Sequence, residues 1–215
     1  MTPAFDDLPV VLPPGCAGAR VMGDPSAWSE AFEWPTELTD AAATRRSDFL
    51  MGRLAAVEAL RRLGAEGSVG RSADGAPAWP EGIAGSLTHH SGVAAAVVGR
   101  GVDGLGIDIC PRLDGDRLRA VVRQCLTDTE RERWAGEEAA TVAFAAKESI
   151  YKAAYPRAQR FIGFAEAEII DVQEGRWTAR IGGPLAEEIG AEAVNGSYAW
   201  DGSLLYAVLA LERPR

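Results

Sequence analysis

An α+β fold in two successive halves is what the sequence predicts. A helix-periodic stretch over about residues 39–63 precedes a cluster of strand-like runs. The same mixture then recurs: helical segments over 117–154, strand-like segments from 165 to 211. Helices and strands that segregate in this way, rather than alternating, argue against a parallel βαβ sheet. The boundary falls near 102–104, dividing the chain into an N-terminal half, 1–103, and a C-terminal half, 104–215.

The elements follow in order. After a proline-rich start, residues 17–22 read as a short strand. Phe49, Leu50, Leu54, Val57, Leu60 and Leu63 recur at three- and four-residue steps, the spacing of one helix face, and Gly64 is placed to stop that helix. Residues 65–84, rich in Gly, Ala and Pro, read as loop, and strands follow at 85–89, 93–98 and 105–109. Short helices are expected at 117–125 and 128–134, then a longer one at 139–154 that Pro156 ends, because the residue before a proline avoids helical angles. Strands at 165–172, 176–181, 196–200 and 204–211, with a short helix at 184–189, complete the second half.

Bulk properties narrow the function classes. Hydrophobic residues at 47% and charged residues at 25% are ordinary globular values, and 215 residues can bury a substantial core. A net charge of −9 without a long basic tract argues against nucleic acid as partner. Cys16, Cys110 and Cys125 are an odd number without ligand spacing, which suggests a reducing compartment and neither zinc nor redox chemistry. The N-terminus carries no secretory pattern and no run reaches the roughly 20 apolar residues that cross a bilayer. A soluble cytoplasmic protein, away from membranes, is the expectation.

Three constellations carry chemistry. The segment FAAKESIYK, 144–152, places Lys147, Glu148 and Lys152 on one helix, with Glu148 and Lys152 four apart on one face. Alone, that pair reads equally as an exposed ion pair of little energetic weight. Forty residues before Glu148, Asp108 closes the apolar run of GID, where a carboxylate is costly without a cation or donors. Two acids from different elements suit a hard cation such as Mg²⁺, which prefers oxygen and keeps several waters. In GSLTHHSG, 85–92, hydroxyls and histidines can donate to oxyanions beside a glycine; a plain strand edge is the bland alternative. In TRRSDFLMGR, Arg45 and Arg53 lie about two helical turns apart on roughly one face. Their planar forks suit a phosphomonoester, although Arg61 and Arg62 show that the same helix also carries solvated cations.

In this order and spacing, TRRSDFLMGR, AWP, GSLTHH, GID and FAAKESIYK resemble the 4′-phosphopantetheinyl transferases of the surfactin-synthetase-activating and enterobactin-synthetase type. The match spans roughly residues 40–170. The resemblance implies two similar α+β subdomains about a pseudo-twofold axis, with coenzyme A in the cleft between them. It implies transfer of the phosphopantetheine arm to a serine of an apo acyl or peptidyl carrier protein in secondary metabolism, siderophore formation included, by a monomer.

Roles are implied residue by residue. Arg45, Arg53 and His89, with Thr88 beside it, match the 3′-phosphate end of coenzyme A, and Arg71 with Ser72, Ala73 and Asp74 match the adenine and ribose side. Asp108 and Glu148 match Mg²⁺ ligands and catalytic groups, Lys147 and Lys152 lie near the pyrophosphate, and Phe161 matches an aromatic lining the pantetheine channel. One departure stands out: GIDIC puts Cys110 where the family has a third metal-binding carboxylate, and a thiol is a poor match to Mg²⁺. Arg112, Arg117, Arg119 and Arg123 form a candidate docking face for an acidic carrier, or a solvated helix. The alternatives are a noncatalytic coenzyme A binder with a weakened metal site and an Mg²⁺-dependent pyrophosphate hydrolase.

Overall fold

The computed structural model describes residues 4–25, 34–38, 40–73 and 75–212. The first half contains β1 (Phe5–Asp6), β2 (Cys16–Met22), α1 (Ala43–Arg62), β3 (Gly70–Arg71), β4 (Pro77–Ala78), β5 (Ile83–His90) and β6 (Val93–Arg100). Its four-stranded sheet runs β1-β2-β6-β5, antiparallel throughout. The second half contains β7 (Val102–Pro111), α2 (Gly115–Cys125), α3 (Asp128–Trp134), α4 (Glu137–Ala158), β8 (Ala167–Gln173), β9 (Arg176–Ile181), α5 (Gly183–Ile189), β10 (Ala193–Asp201) and β11 (Leu204–Glu212). Its five strands are ordered β7-β11-β10-β9-β8. The chain is α+β, as the segregation of its periodicities predicts.

Each half covers its sheet with one long helix. Met51, Ala55, Ala56, Ala59 and Leu60 of α1 pack on Ala19, Val21, Ala94, Ala96 and Val98. The inner face is thus largely alanine, which lets the helix lie low on the sheet, and Val57 points outward at 46% exposure. A face drawn through the large apolar residues takes Val57 inward, whereas the alanines form the true inner face. Gly64 closes α1 as expected: its φ is +68°, and Gly64 and Ala65 donate to the carbonyls of Arg61 and Leu60. Thr39, the expected start of the helix, lies outside the described residues.

In the second half Ala146, Ile150 and Ala153 of α4 pack on Ile169, Trp177, Leu205 and Leu209. The helix runs through Pro156 to Ala158 instead of stopping at 154. Proline only removes a donor and crowds the preceding turn, and here it sits in the last turn, where Gln159 (φ +50°) caps the end by donating to the Tyr155 carbonyl. Residues 65–84 are not all loop, since β3 and β4 pair within them.

β7 joins the halves, and its two faces differ. Leu105, Ile107 and Ile109 pack with Ala95 and Val97 of the first sheet and with Tyr206 and Val208 of β11. Gly104, Gly106, Asp108 and Cys110 occupy the opposite face. Along its free edge, the N–H groups of Ile107 and Ile109 donate to the hydroxyls of Ser86 and Thr88 on β5, at 3.2 and 3.3 Å. Arg20 of β2 reaches Asp201 and Tyr206 from the other side. Among the described residues no helix is long and apolar enough to cross a membrane.

Candidate active site

Glycine builds the centre of the site. A β-carbon at Gly104 would stand 2.1 Å from the Ala153 carbonyl oxygen, and one at Gly106 would stand 1.8 Å from that of Ser149. The α4 backbone therefore rests directly on β7. The next residue on that face is Asp108, which meets side chains that α4 projects beside its line of contact. Lys152 Nζ lies 2.7 Å from Asp108 Oδ1 and 2.9 Å from the Ile107 carbonyl oxygen. Thr88 donates its hydroxyl hydrogen to the same Asp108 oxygen at 3.3 Å. Asp108 is only 8% exposed, so these donors answer the cost of its burial.

Glu148 is one helical turn before Lys152. Burial raises its carboxyl above the ordinary glutamate value, the neighbouring Asp108 charge raises it further, and Lys152 works in the opposite direction. Cys110 is 2% exposed, and burial together with the Asp108 charge pushes its thiol up to about 12. Cys110, at the place of the family's third carboxylate, does not join Asp108 and Glu148 in a metal cluster: among the described residues no group of three or more His, Cys, Asp and Glu side chains is so arranged. Asp108 is turned to Lys152, and the protonated thiol is no ligand for a hard cation. Two mutually repelling carboxylates still fit Mg²⁺, provided that water and phosphate oxygens complete its shell.

A second cluster lies in the first half. Arg45, Arg53, Arg71 and His89 line one cavity of about 210 Å³, with Asp48, Phe49 and Pro77. α1 supplies the first two, β3 supplies Arg71 and β5 supplies His89. Arg53 is 7% exposed, stacks 4.3 Å over the Phe49 ring and donates to the Gly70 carbonyl at 2.9 Å, yet its buried Nε has no hydrogen-bond partner among the described residues. Burial, with the Arg71 charge beside it, lowers its guanidinium to about 10. Two arginines forced together in a partly dry cavity are a site for an anion. Asp48 Oδ2 lies 3.5 Å from His89 Nδ1. Ser72 and Ala73 sit on an exposed turn beside the cavity, where the Ser72 hydroxyl donates to the Ala76 carbonyl; Asp74 lies outside the described residues.

Lys147 lines the same cavity as Glu148 and Thr88 lies beside His89 on β5, but the ammonium of the first and the hydroxyl of the second are turned to other partners. The Lys147 side chain is 1% exposed, with Nζ 2.8 Å from Glu130 Oε2 and 2.7 Å from the Phe164 carbonyl oxygen. It belongs to a buried structural network, because α4 turns that face toward the core. Glu130 also accepts from the backbone N–H groups of Thr127 and Ile169. Thr88 turns toward Asp108 and away from the arginine cavity. Phe161 stands 78% exposed at the rim of a cavity of about 230 Å³ that Glu148, Tyr151 and Phe164 also line.

The cleft that the resemblance implies between the halves is present, and one feature beside it escaped the sequence reading. A groove of about 370 Å³ runs between the halves, lined by Trp79, Ser86 and Leu87 on one side and Tyr151, Lys152 and Tyr155 on the other. Its signals were the tryptophan of AWP and the four-residue spacing of the tyrosines, whose rings stand 5.8 Å apart. The missed feature is the glycine alternation of β7, which read only as part of an apolar run.

Residues 34–99 match the model of the 4′-phosphopantetheinyl transferase N-terminal domain, and residues 104–201 match that of the 4′-phosphopantetheinyl transferase superfamily. The chain is 32% identical over 185 residues to 4′-phosphopantetheinyl transferase Svp of Streptomyces mobaraensis, covering 81% of this chain and 75% of that one. It is 32% identical over 182 residues to 4′-phosphopantetheinyl transferase PptT of Mycobacterium tuberculosis, covering 80% and 79%. Enterobactin synthase component D of Escherichia coli K12 is 35% identical over 139 residues, 62% of this chain and 66% of that one. The chain belongs to the 4′-phosphopantetheinyl transferase superfamily.

Proposed function

We propose that the protein transfers the 4′-phosphopantetheine group of coenzyme A to a serine of an apo acyl or peptidyl carrier protein, with Mg²⁺, and releases adenosine 3′,5′-bisphosphate. One observation carries the reading: Asp108 of β7 and Lys152 of α4 meet at 2.7 Å with Glu148 alongside, and a separate pocket of the first half gathers Arg45, Arg53, Arg71 and His89. Arg45, Arg53, Arg71 and His89 hold the 3′-phosphate, since all four line one cavity and can donate to it. The diphosphate then extends along the groove toward Lys152.

In the reaction the carrier serine oxygen bonds to the β-phosphorus, and the bridging P–O bond to the nucleotide side breaks. Glu148 takes the serine proton as general base. Lys152 steadies the charge that develops on the leaving phosphate, exchanging part of its bond to Asp108 for one to the nucleotide. Asp108 and Glu148 would hold Mg²⁺, which when bound supplies charge neutralisation across the diphosphate. With the boundary near 103 and 104, inside the start of β7, the 3′-phosphate pocket belongs to one half and the reacting acids to the other. A monomer working in the cytoplasm, with Arg117 and Arg119 toward the carrier, completes the reading.

Cys110 favours a second reading, a coenzyme A binder with weakened metal chemistry, because its thiol stays protonated at neutral pH. Incubation with coenzyme A, Mg²⁺ and an apo carrier domain separates the two. The transferase adds one phosphopantetheine to the carrier's mass, whereas a binder leaves the mass unchanged.

A further inference from the structure

Residues 159–166 follow α4, and 161–164 among them wall the 230 Å³ cavity on which Glu148 opens. Their backbone reverses at Gln159 in the left-handed region, and the segment is then fixed by charge from both sides. Lys147 bonds to the Phe164 carbonyl oxygen from within the core. On the outer side, Arg160 uses all five of its N–H donors. Nε and Nη2 go to the two carboxylate oxygens of Glu188 on α5, at 2.8 and 3.0 Å. Nη1 and Nη2 go to the two oxygens of Glu166, at 2.9 and 2.6 Å, and Nη1 also goes to the carbonyl oxygen of Phe161, at 2.9 Å. Glu166 in turn accepts from the Gly163 N–H at 2.9 Å.

Between these anchors the carbonyl-pinned residue and the one after it point opposite ways. Ile162 enters the core at 7% exposure, and Phe161 stands out at 78%. A phenylalanine ring left in water is costly unless something covers it. Its backbone is held there by a fully committed guanidinium, so the exposure is built into the loop.

We propose that Arg160 is a positioning residue for the flexible amide arm of the donor, acting through Phe161 at the cavity mouth. This rests on the donor being coenzyme A, as proposed above. The arm passes over the Phe161 ring and presents its phosphate beside Glu148, and the guanidinium clamp keeps that ring from folding away. Coenzyme A has the arm; adenosine 3′,5′-bisphosphate has the same 3′-phosphate and lacks it.

Calorimetric titration of the protein with each ligand is the test. Arg160→Met should weaken coenzyme A by about tenfold and leave the bisphosphate within about twofold. In the transfer assay the KM for coenzyme A should rise by the same factor while kcat stays within about threefold, since Glu148 and Lys152 are untouched. Glu188→Gln, a milder change, should give the same selectivity at about threefold. In the Phe161→Ala background Arg160→Met should cost nothing further, because both changes remove one interaction. Equal loss of both ligands, unchanged coenzyme A affinity, or additive losses in the double variant would overturn the proposal. Wild-type protein that binds neither ligand would instead overturn the donor assignment beneath it, and the proposal with it.

Discussion

Gly106 of β7 and Ser149 of α4 are in backbone contact, leaving 1.8 Å where a β-carbon would meet the Ser149 carbonyl oxygen. This contact sets the height of α4 above the sheet, and with it the reach of Lys152 to Asp108. Gly106→Ala should therefore destabilise the fold by about 3 kcal/mol or more, since neither backbone can give way. Gly136→Ala, at a position open to solvent, should cost no more than about 1 kcal/mol. Denaturant unfolding of both variants checks the contrast.

Glu130 and Lys147 form an ion pair with side chains at 0% and 1% exposure. Removing one member leaves an uncompensated buried charge. Glu130→Gln or Lys147→Met alone should cost about 3–5 kcal/mol, and the double replacement should recover much of it. A double-mutant cycle measured by thermal unfolding decides the matter; equal and additive losses would show that the pair does not couple.

The Glu148 carboxyl should titrate above the ordinary glutamate value in metal-free protein, because burial and Asp108 both favour its neutral form. The sign for stability follows. Between the unfolded and folded values the native state binds more protons, so raising the pH through this window weakens the fold. Glu148→Gln should remove that slope, and Lys152→Met should raise the titration midpoint further, since Lys152 lowers it. Carboxyl carbon NMR across the acid range reads both directly.

Arg53 should govern discrimination for a 3′-phosphate. Its guanidinium and its cavity partners Arg45, Arg71 and His89 favour coenzyme A over the form lacking that phosphate. Arg53→Met should erase about 10- to 100-fold of that preference, the worth of a charge-assisted bond. Equilibrium binding of the two forms to each protein gives the ratio; an unchanged preference would move the 3′-phosphate elsewhere.

Cys110→Glu should lower the Mg²⁺ concentration needed for half-maximal transfer, because a carboxylate replaces a thiol held near 12 beside the two acids. A metal requirement identical in both proteins would remove Cys110 from the account.

The sequence disclosed the α+β class because periodicity registers helices and strands directly. It disclosed the acids and arginines because charge at the end of an apolar run is unusual. It could not disclose the partner of Lys147, since one lysine on a helix looks like another until the packing face is known. Alanines hid the inner face of α1, and the alternation of Gly104, Gly106 and Asp108 passed as an apolar run. Arg160 gave no signal either: its two carboxylates come from segments 6 and 28 residues away.

Where β7 runs beside β5, two hydroxyls stand in for the carbonyls that would have fused both sheets into one. A main-chain seam is indifferent to the identity of its side chains, but this one is spelled by Ser86 and Thr88 and can be unpicked by replacing either. Thr88 also touches Asp108, so the stitching of the lobes and the poise of the reacting acid share an atom. Any slackening of that joint reaches the chemistry without passing through either hydrophobic interior.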